Sequence, residues 1–85
     1  MPTDKWKRDA FEIVRKIASE KEEFTPDDIW EAGLEKPAEA RVLGSVMLRA
    51  KNQGLIEKTG RVQRTTQQES HGTDVTVWRS LIFKP

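Results

Sequence analysis

Apolar residues recur at helical spacing in two long stretches of this chain and in short extended runs elsewhere. In the first stretch Ala10, Phe11, Val14, Ile17 and Ala18 fall on one stripe, with Trp6 and Ile13 at its margin. That spacing predicts a helix over about residues 5–19, with Asp4 as its cap. Glu12 and Lys16 form an i,i+4 pair on the wet side. Residues 20–23 make a charged exit, and Phe24 reads as a short extended contact into the core. Thr25-Pro26-Asp27-Asp28 is a helix start: a hydroxyl that can accept a backbone N–H, a proline suited to the first helical position, and two acids for the positive end. The helix it opens is short, about 26–32, with Ile29 and Trp30 apolar and Gly33 ending it. Leu34 is expected to pack inward, and Glu35-Lys36 to make a turn.

The second helical stretch is Pro37 to Gly54, PAEARVLGSVMLRAKNQG. Val42, Leu43, Val46, Met47 and Ala50 line one face, while Arg41, Ser45, Arg49 and Asn52 lie on the other, where Gly44 leaves room. The expected helix runs about 37–53, and Gly54 supplies the left-handed residue that stops it. The period then changes. Leu55-Ile56-Glu57-Lys58 is strand-like and Arg61-Val62-Gln63-Arg64 can extend it past Gly60. Residues 65–74 are polar or glycine, with Gly72 a turn point, and Val75 to Arg79 resumes as a strand. A hairpin with a long polar tip follows, spanning about 55–80. Its register decides whether Val75 and Val77 or Thr76 and Trp78 face inward. Leu81, Ile82 and Phe83 are too apolar to stand free, and should pack on the first helix or on a partner.

Eighty-five residues allow one small domain. Hydrophobic residues are 35% and charged residues 34%, so the core must be small, but its patterning argues against disorder. Cysteine is absent, which excludes disulfides and thiolate zinc sites. No run is long enough to span a membrane and Met1 is not followed by a signal-like segment, so the cytoplasm is the expected compartment. Net charge is +1, yet residues 1–40 carry −4 and residues 41–85 carry +5. Such a polar molecule can dock its basic half on a polyanion, although uneven surface charge alone identifies no partner.

Helix, extended contact, helix, turn, helix and hairpin, in that order, resemble the winged helix-turn-helix family over roughly Asp4 to Ser80. The join AKNQGLIEKTG, with Gly54-Leu55-Ile56 at the helix-to-strand step, carries the resemblance most specifically. RVLGSVMLRAKNQGLIEKTG followed by SHGTDVTVWRS also looks like small winged-helix proteins of bacteriophages, particularly those infecting actinobacteria. The implied fold class is α+β, mainly α: three helices and a C-terminal β-hairpin wing.

What the resemblance implies is a non-catalytic protein that binds double-stranded DNA, regulatory or accessory in phage DNA transactions. The third helix would enter the major groove and the wing would lie on the adjacent backbone or minor groove. Arg41, Ser45, Arg49 and Asn52 then sit where contacts fall, with Lys51 flanking. Arg61 and Arg64 lie on the wing, Lys58 is a second-rank wing candidate, and Gln67, Gln68, Ser70 and His71 are near its tip. The chemistry suits the roles: arginine can grip guanine or a phosphate at two points, and asparagine can read adenine. For any one of these residues taken alone, a solvated surface position accounts for it as well as contact does; helix and wing taken together favour DNA contact. The reading requires the arginine side of the third helix and the ribbon to face outward together.

No cofactor or metal is expected, since His71 is the one histidine. Ser70, His71 and Asp74 could be assembled into a catalytic triad only on paper, within one polar loop with nothing to orient the base. Asp27 and Asp28 have a structural task at their helix start, and Trp30 and Trp78 are expected in the core. The alternative function is a protein-interaction winged helix, docking a host or phage protein through the acidic N-terminal half, Trp6 or the apolar tail. RNA or single-strand binding would want exposed aromatics for stacking. A single domain of this size offers a small footprint, so self-association is open, although no heptad supports it.

Overall fold

The local signals at each helix end account for most of the architecture. In a computed structural model that describes residues 4–37, 42–65 and 74–84, the first helix, α1, is Asp4–Glu20. It leads through the two-residue strand β1, Glu23–Phe24, into α2, Pro26–Glu31, where Thr25 closes a capping box. The Thr25 side chain accepts from the Asp27 N–H at 3.2 Å, and Asp28 Oδ2 accepts from the Thr25 N–H at 2.9 Å. Such a cap stabilises a helix by about 1 kcal/mol, which matters for an element of only 6 residues. Asp28 also receives Lys21 Nζ at 3.0 Å.

The third helix, α3, is Leu43–Asn52, with Val42 at its N-cap and no side-chain cap. The helix therefore does not open at Pro37, which lies outside it. The preceding stretch is held down instead. Leu34 is buried, the Glu35 carbonyl accepts from Trp6 Nε1 at 2.7 Å, and the Lys36 ammonium lies 5.4 Å from the Trp30 ring centre. These contacts tie residues 34–36 across the aromatic pair Trp6–Trp30, whose rings are 6.5 Å apart.

Helix α3 ends in a Schellman motif. Gly54, at φ 77°, donates to the Lys51 carbonyl at 3.0 Å, and Leu55 donates to the Ala50 carbonyl at 3.0 Å. The chain enters β2, Ile56–Arg64, directly afterwards and returns as β3, Asp74–Ser80. Both β1 and β2 pair antiparallel with β3, so the sheet has the order β1-β3-β2. The expected hairpin is present, and Phe24 joins its sheet as a third strand, opposite Trp78. Among the described residues the fold is thus α+β, three helices on a three-stranded antiparallel sheet.

One core unites these elements. Ala10, Val14 and Ala18 of α1, Ile29 of α2, Val46, Met47 and Ala50 of α3, and Phe24, Ile56 and Trp78 of the sheet are all buried in it. Trp6 is buried too, while Phe11 is only half-buried, the reverse of their expected ranks on the α1 stripe. Register resolves the β3 ambiguity: Trp78 enters the core cluster, whereas Val77, on the opposite face, is buried outside it. The tail is tied down at Ser80, whose hydroxyl donates to the Ala18 carbonyl of α1 at 2.5 Å. Ile82 packs against the core and Leu81 stays exposed. No helix among the described residues is long and apolar enough to cross a membrane.

Candidate nucleic-acid interface

Helix α3 divides cleanly. Leu43, Val46, Met47 and Ala50 are buried, and Gly44, Ser45, Leu48, Arg49, Lys51 and Asn52 are exposed. At about 100° per residue, the direction opposite the buried stripe passes through Ser45, Leu48 and Asn52. Arg49 lies about 70° to one side of it, and Gly44 and Lys51 lie about 70–90° to the other. The face is open: a Cβ built on Gly44 would meet no atom within 4 Å. The Ser45 hydroxyl donates to the Val42 carbonyl at 2.7 Å, so its oxygen faces outward chiefly as an acceptor.

Leu48 was missing from the contacts expected of this helix. The signal that could have found it is its position beside Met47 but off the apolar stripe, among Gly44, Ser45 and Asn52, where no core residue belongs.

Arg49 leans toward α1. Its guanidinium carbon sits 5.2 Å from the Phe11 ring centre, a cation–π arrangement that fixes the head group while leaving it exposed. Lys7 and Arg8 of α1 join Arg49 along a groove of about 460 Å³ whose walls also include Asp4, Glu12, Phe11 and Gln53. The two α1 cations come from the acidic half of the chain, where net charge concealed them. Near this groove Arg15 pairs with Glu12 at 3.8 Å.

The ribbon is tied to the rest of the fold at several points. Between the pairs Lys58–Trp78 and Val62–Thr76, three residues of β2 face the single residue Val77. Gly60 takes φ 83° within this bulge. Thr59 fastens it, donating its hydroxyl to the Val77 carbonyl at 2.8 Å and accepting from the Arg61 N–H at 3.1 Å. Within the bulge Arg61 is ion-paired with Glu23 of β1, and beyond it Thr65 donates to Oδ1 of the buried Asp27 in α2 at 2.7 Å. Arg61 holds the Glu23 carboxyl below its ordinary value, mainly by the hydrogen bond it donates; desolvation opposes the shift, and the charges of Arg61 and Arg79 add to it. Arg79 pairs with Glu57 at 3.3 Å. The positive surface therefore does not run unbroken from α3 through Arg61, because a carboxylate partner neutralises that arginine.

Lys58 is exposed, with its ammonium 5.8 Å from the ring centre of its cross-strand partner Trp78. Arg64 is exposed at the end of β2, opposite Asp74. Of the other expected contacts, Arg41, Gln67, Gln68, Ser70 and His71 lie outside the described residues. Trp78 closes the ribbon onto the core, and Trp6 is buried there as well, which removes it as a docking surface. Asp27 and Asp28 have the structural tasks expected of them, and among the described residues no cluster of three or more metal-ligating side chains occurs.

Comparison with protein-family models, curated proteins and solved structures returned no match to this chain.

Proposed function

We propose that this chain is a non-catalytic duplex-DNA-binding protein of winged helix-turn-helix type, regulatory or accessory in the manner of the phage proteins it resembles. Helix α3 enters the major groove and the ribbon lies against neighbouring backbone or minor groove. The observation that carries this reading is the open face of α3. Six exposed residues, including Ser45, Arg49, Lys51 and Asn52, share a helix whose remaining four residues are buried in the core. A rigidly seated helix with an unobstructed polar face can approach base edges closely. Lys7, Arg8 and Arg49 supply positive charge along one flank, where a phosphate strand would pass. Arg64 and Lys58 are the described ribbon cations without a carboxylate ion-pair partner among the described residues.

The test is selection of bound sequences from a random duplex pool, followed by fluorescence anisotropy over a range of salt. A reproducible site, bound more tightly than scrambled duplex and weakening with salt, is the expected result. Absence of duplex binding at low salt overturns the reading.

A second reading, a protein-docking domain, draws on the sheet. There Arg61 and Arg79 are balanced by Glu23 and Glu57, and Leu81 stands exposed just after the end of β3. Retention of a protein partner by a chain that ignores duplex DNA would favour it.

A further inference from the structure

Leu48 is 48% exposed at the middle of the outward face of α3, between Ser45 and Asn52. The other large apolar side chains exposed among the described residues, Val62 and Leu81, lie on the ribbon and in the tail. Nothing in the fold requires a leucine at position 48. The core stripe is complete without it, and its helical neighbours toward solvent, Gly44, Ser45 and Asn52, are small or polar. An apolar group at the centre of a groove-facing surface has one apolar feature to meet there, the C5-methyl of thymine.

Resting on the DNA-binding reading above, we propose that Leu48 is a specificity-determining residue that contacts a thymine methyl, making A·T-containing duplexes the preferred ligand. Asn52 stands one turn further along, about 6 Å by helical rise, and carries the amide that pairs with adenine N6 and N7. At about 3.4 Å per base step, the selected thymine and the adenine read by Asn52 fall within about two steps of each other. Ser45, with its proton given to Val42, offers an acceptor to an exocyclic amine on the other side of Leu48.

The experiment uses the full chain and the duplex recovered from the random-pool selection, prepared once with thymidine and once with deoxyuridine, which removes only the methyl. The expected result is an affinity about three- to fivefold lower for the deoxyuridine duplex, the worth of one buried methyl group. Leu48→Ala binds both duplexes alike, at the weaker level, with an unchanged salt slope. Because position 48 is exposed and alanine favours helix, the variant should keep its thermal midpoint, which circular dichroism checks. Equal affinity of the parent for both duplexes overturns the inference while leaving DNA binding standing, as does a Leu48→Ala chain that still discriminates. Failure to bind any duplex at low salt overturns both.

Discussion

The guanidinium of Arg49 lies over the ring of Phe11, 5.2 Å from its centre. One side chain thus joins the exposed flank of α3 to α1, and the stacking restricts where its five donors can reach. A preorganised arginine loses less freedom on binding than a free one.

Arg49→Ala is therefore expected to weaken binding to the selected duplex by about 1–3 kcal/mol if the contact is a bidentate one to guanine. Anisotropy on selected and scrambled duplexes reads this directly. A loss confined to the selected site marks base readout, an equal loss on both marks a phosphate contact, and no loss on either rejects the role. Phe11→Leu should reproduce part of the defect by releasing the guanidinium.

Ion pairing sets the ribbon's contribution. Glu23→Gln frees Arg61 and should tighten duplex binding, raising the slope of log affinity against log salt by about 0.9 if one phosphate contact is added. Glu20→Gln makes the same charge change at an exposed end of α1 and serves as the comparison. Identical effects from the two variants would show that Arg61 reaches no phosphate.

Acid should loosen the same pair. The folded Glu23 carboxyl is depressed below 4.5, chiefly by the hydrogen bond from Arg61. A depressed carboxylate stabilises the folded state above its unfolded pKa, and that contribution disappears as pH falls through the folded value. NMR titration of the glutamate carboxyl carbons should place Glu23 below 4.5, with Arg61→Ala moving it back upward. A parent Glu23 that titrates at or above 4.5 would show that the pair does not form in solution.

Gly60 offers a test of the bulge. Its φ of 83° is costly for an L-residue, yet a Cβ there would touch nothing within 4 Å. Gly60→Ala should thus destabilise by about 1–2 kcal/mol through backbone conformation alone, measured by urea unfolding. A synthetic chain with D-alanine at position 60 should recover that loss; failure to recover it would point to a steric origin.

Strong local chemistry made much of this fold readable. Thr25-Pro26-Asp27-Asp28 is a cap whose hydrogen bonds lie within four residues, and Gly54 stops α3 through bonds to its own last turn. Three features depended instead on partners distant in the chain. Trp6 is buried because Glu35, 29 residues on, accepts its indole proton. Pro37 lies outside α3 although proline suits a first helical position, and residues 34–36 just before it are engaged with Trp6 and Trp30. The ribbon is tied to β1 and α2 by Arg61–Glu23 and Thr65–Asp27, pairs separated by 38 positions that no periodicity reveals. At the candidate site, exposure of Ser45, Arg49, Lys51 and Asn52 followed from the helical period. Leu48 escaped because the period assigned it to neither the apolar stripe nor the polar contact set, and Lys7 and Arg8 because their half of the chain is acidic.

Leu55 is a junction between two remote parts of the chain. Its N–H holds the Ala50 carbonyl at the end of α3, and its own carbonyl receives the Leu81 N–H at 2.9 Å. Removing residues 81–85 would cut that stitch from the far side. The closing turn of α3, which carries Asn52, would then lose its brace, and discrimination between sequences should suffer before the helix itself unravels. Leu81, through Leu55, thus braces the last turn of a helix about thirty positions earlier.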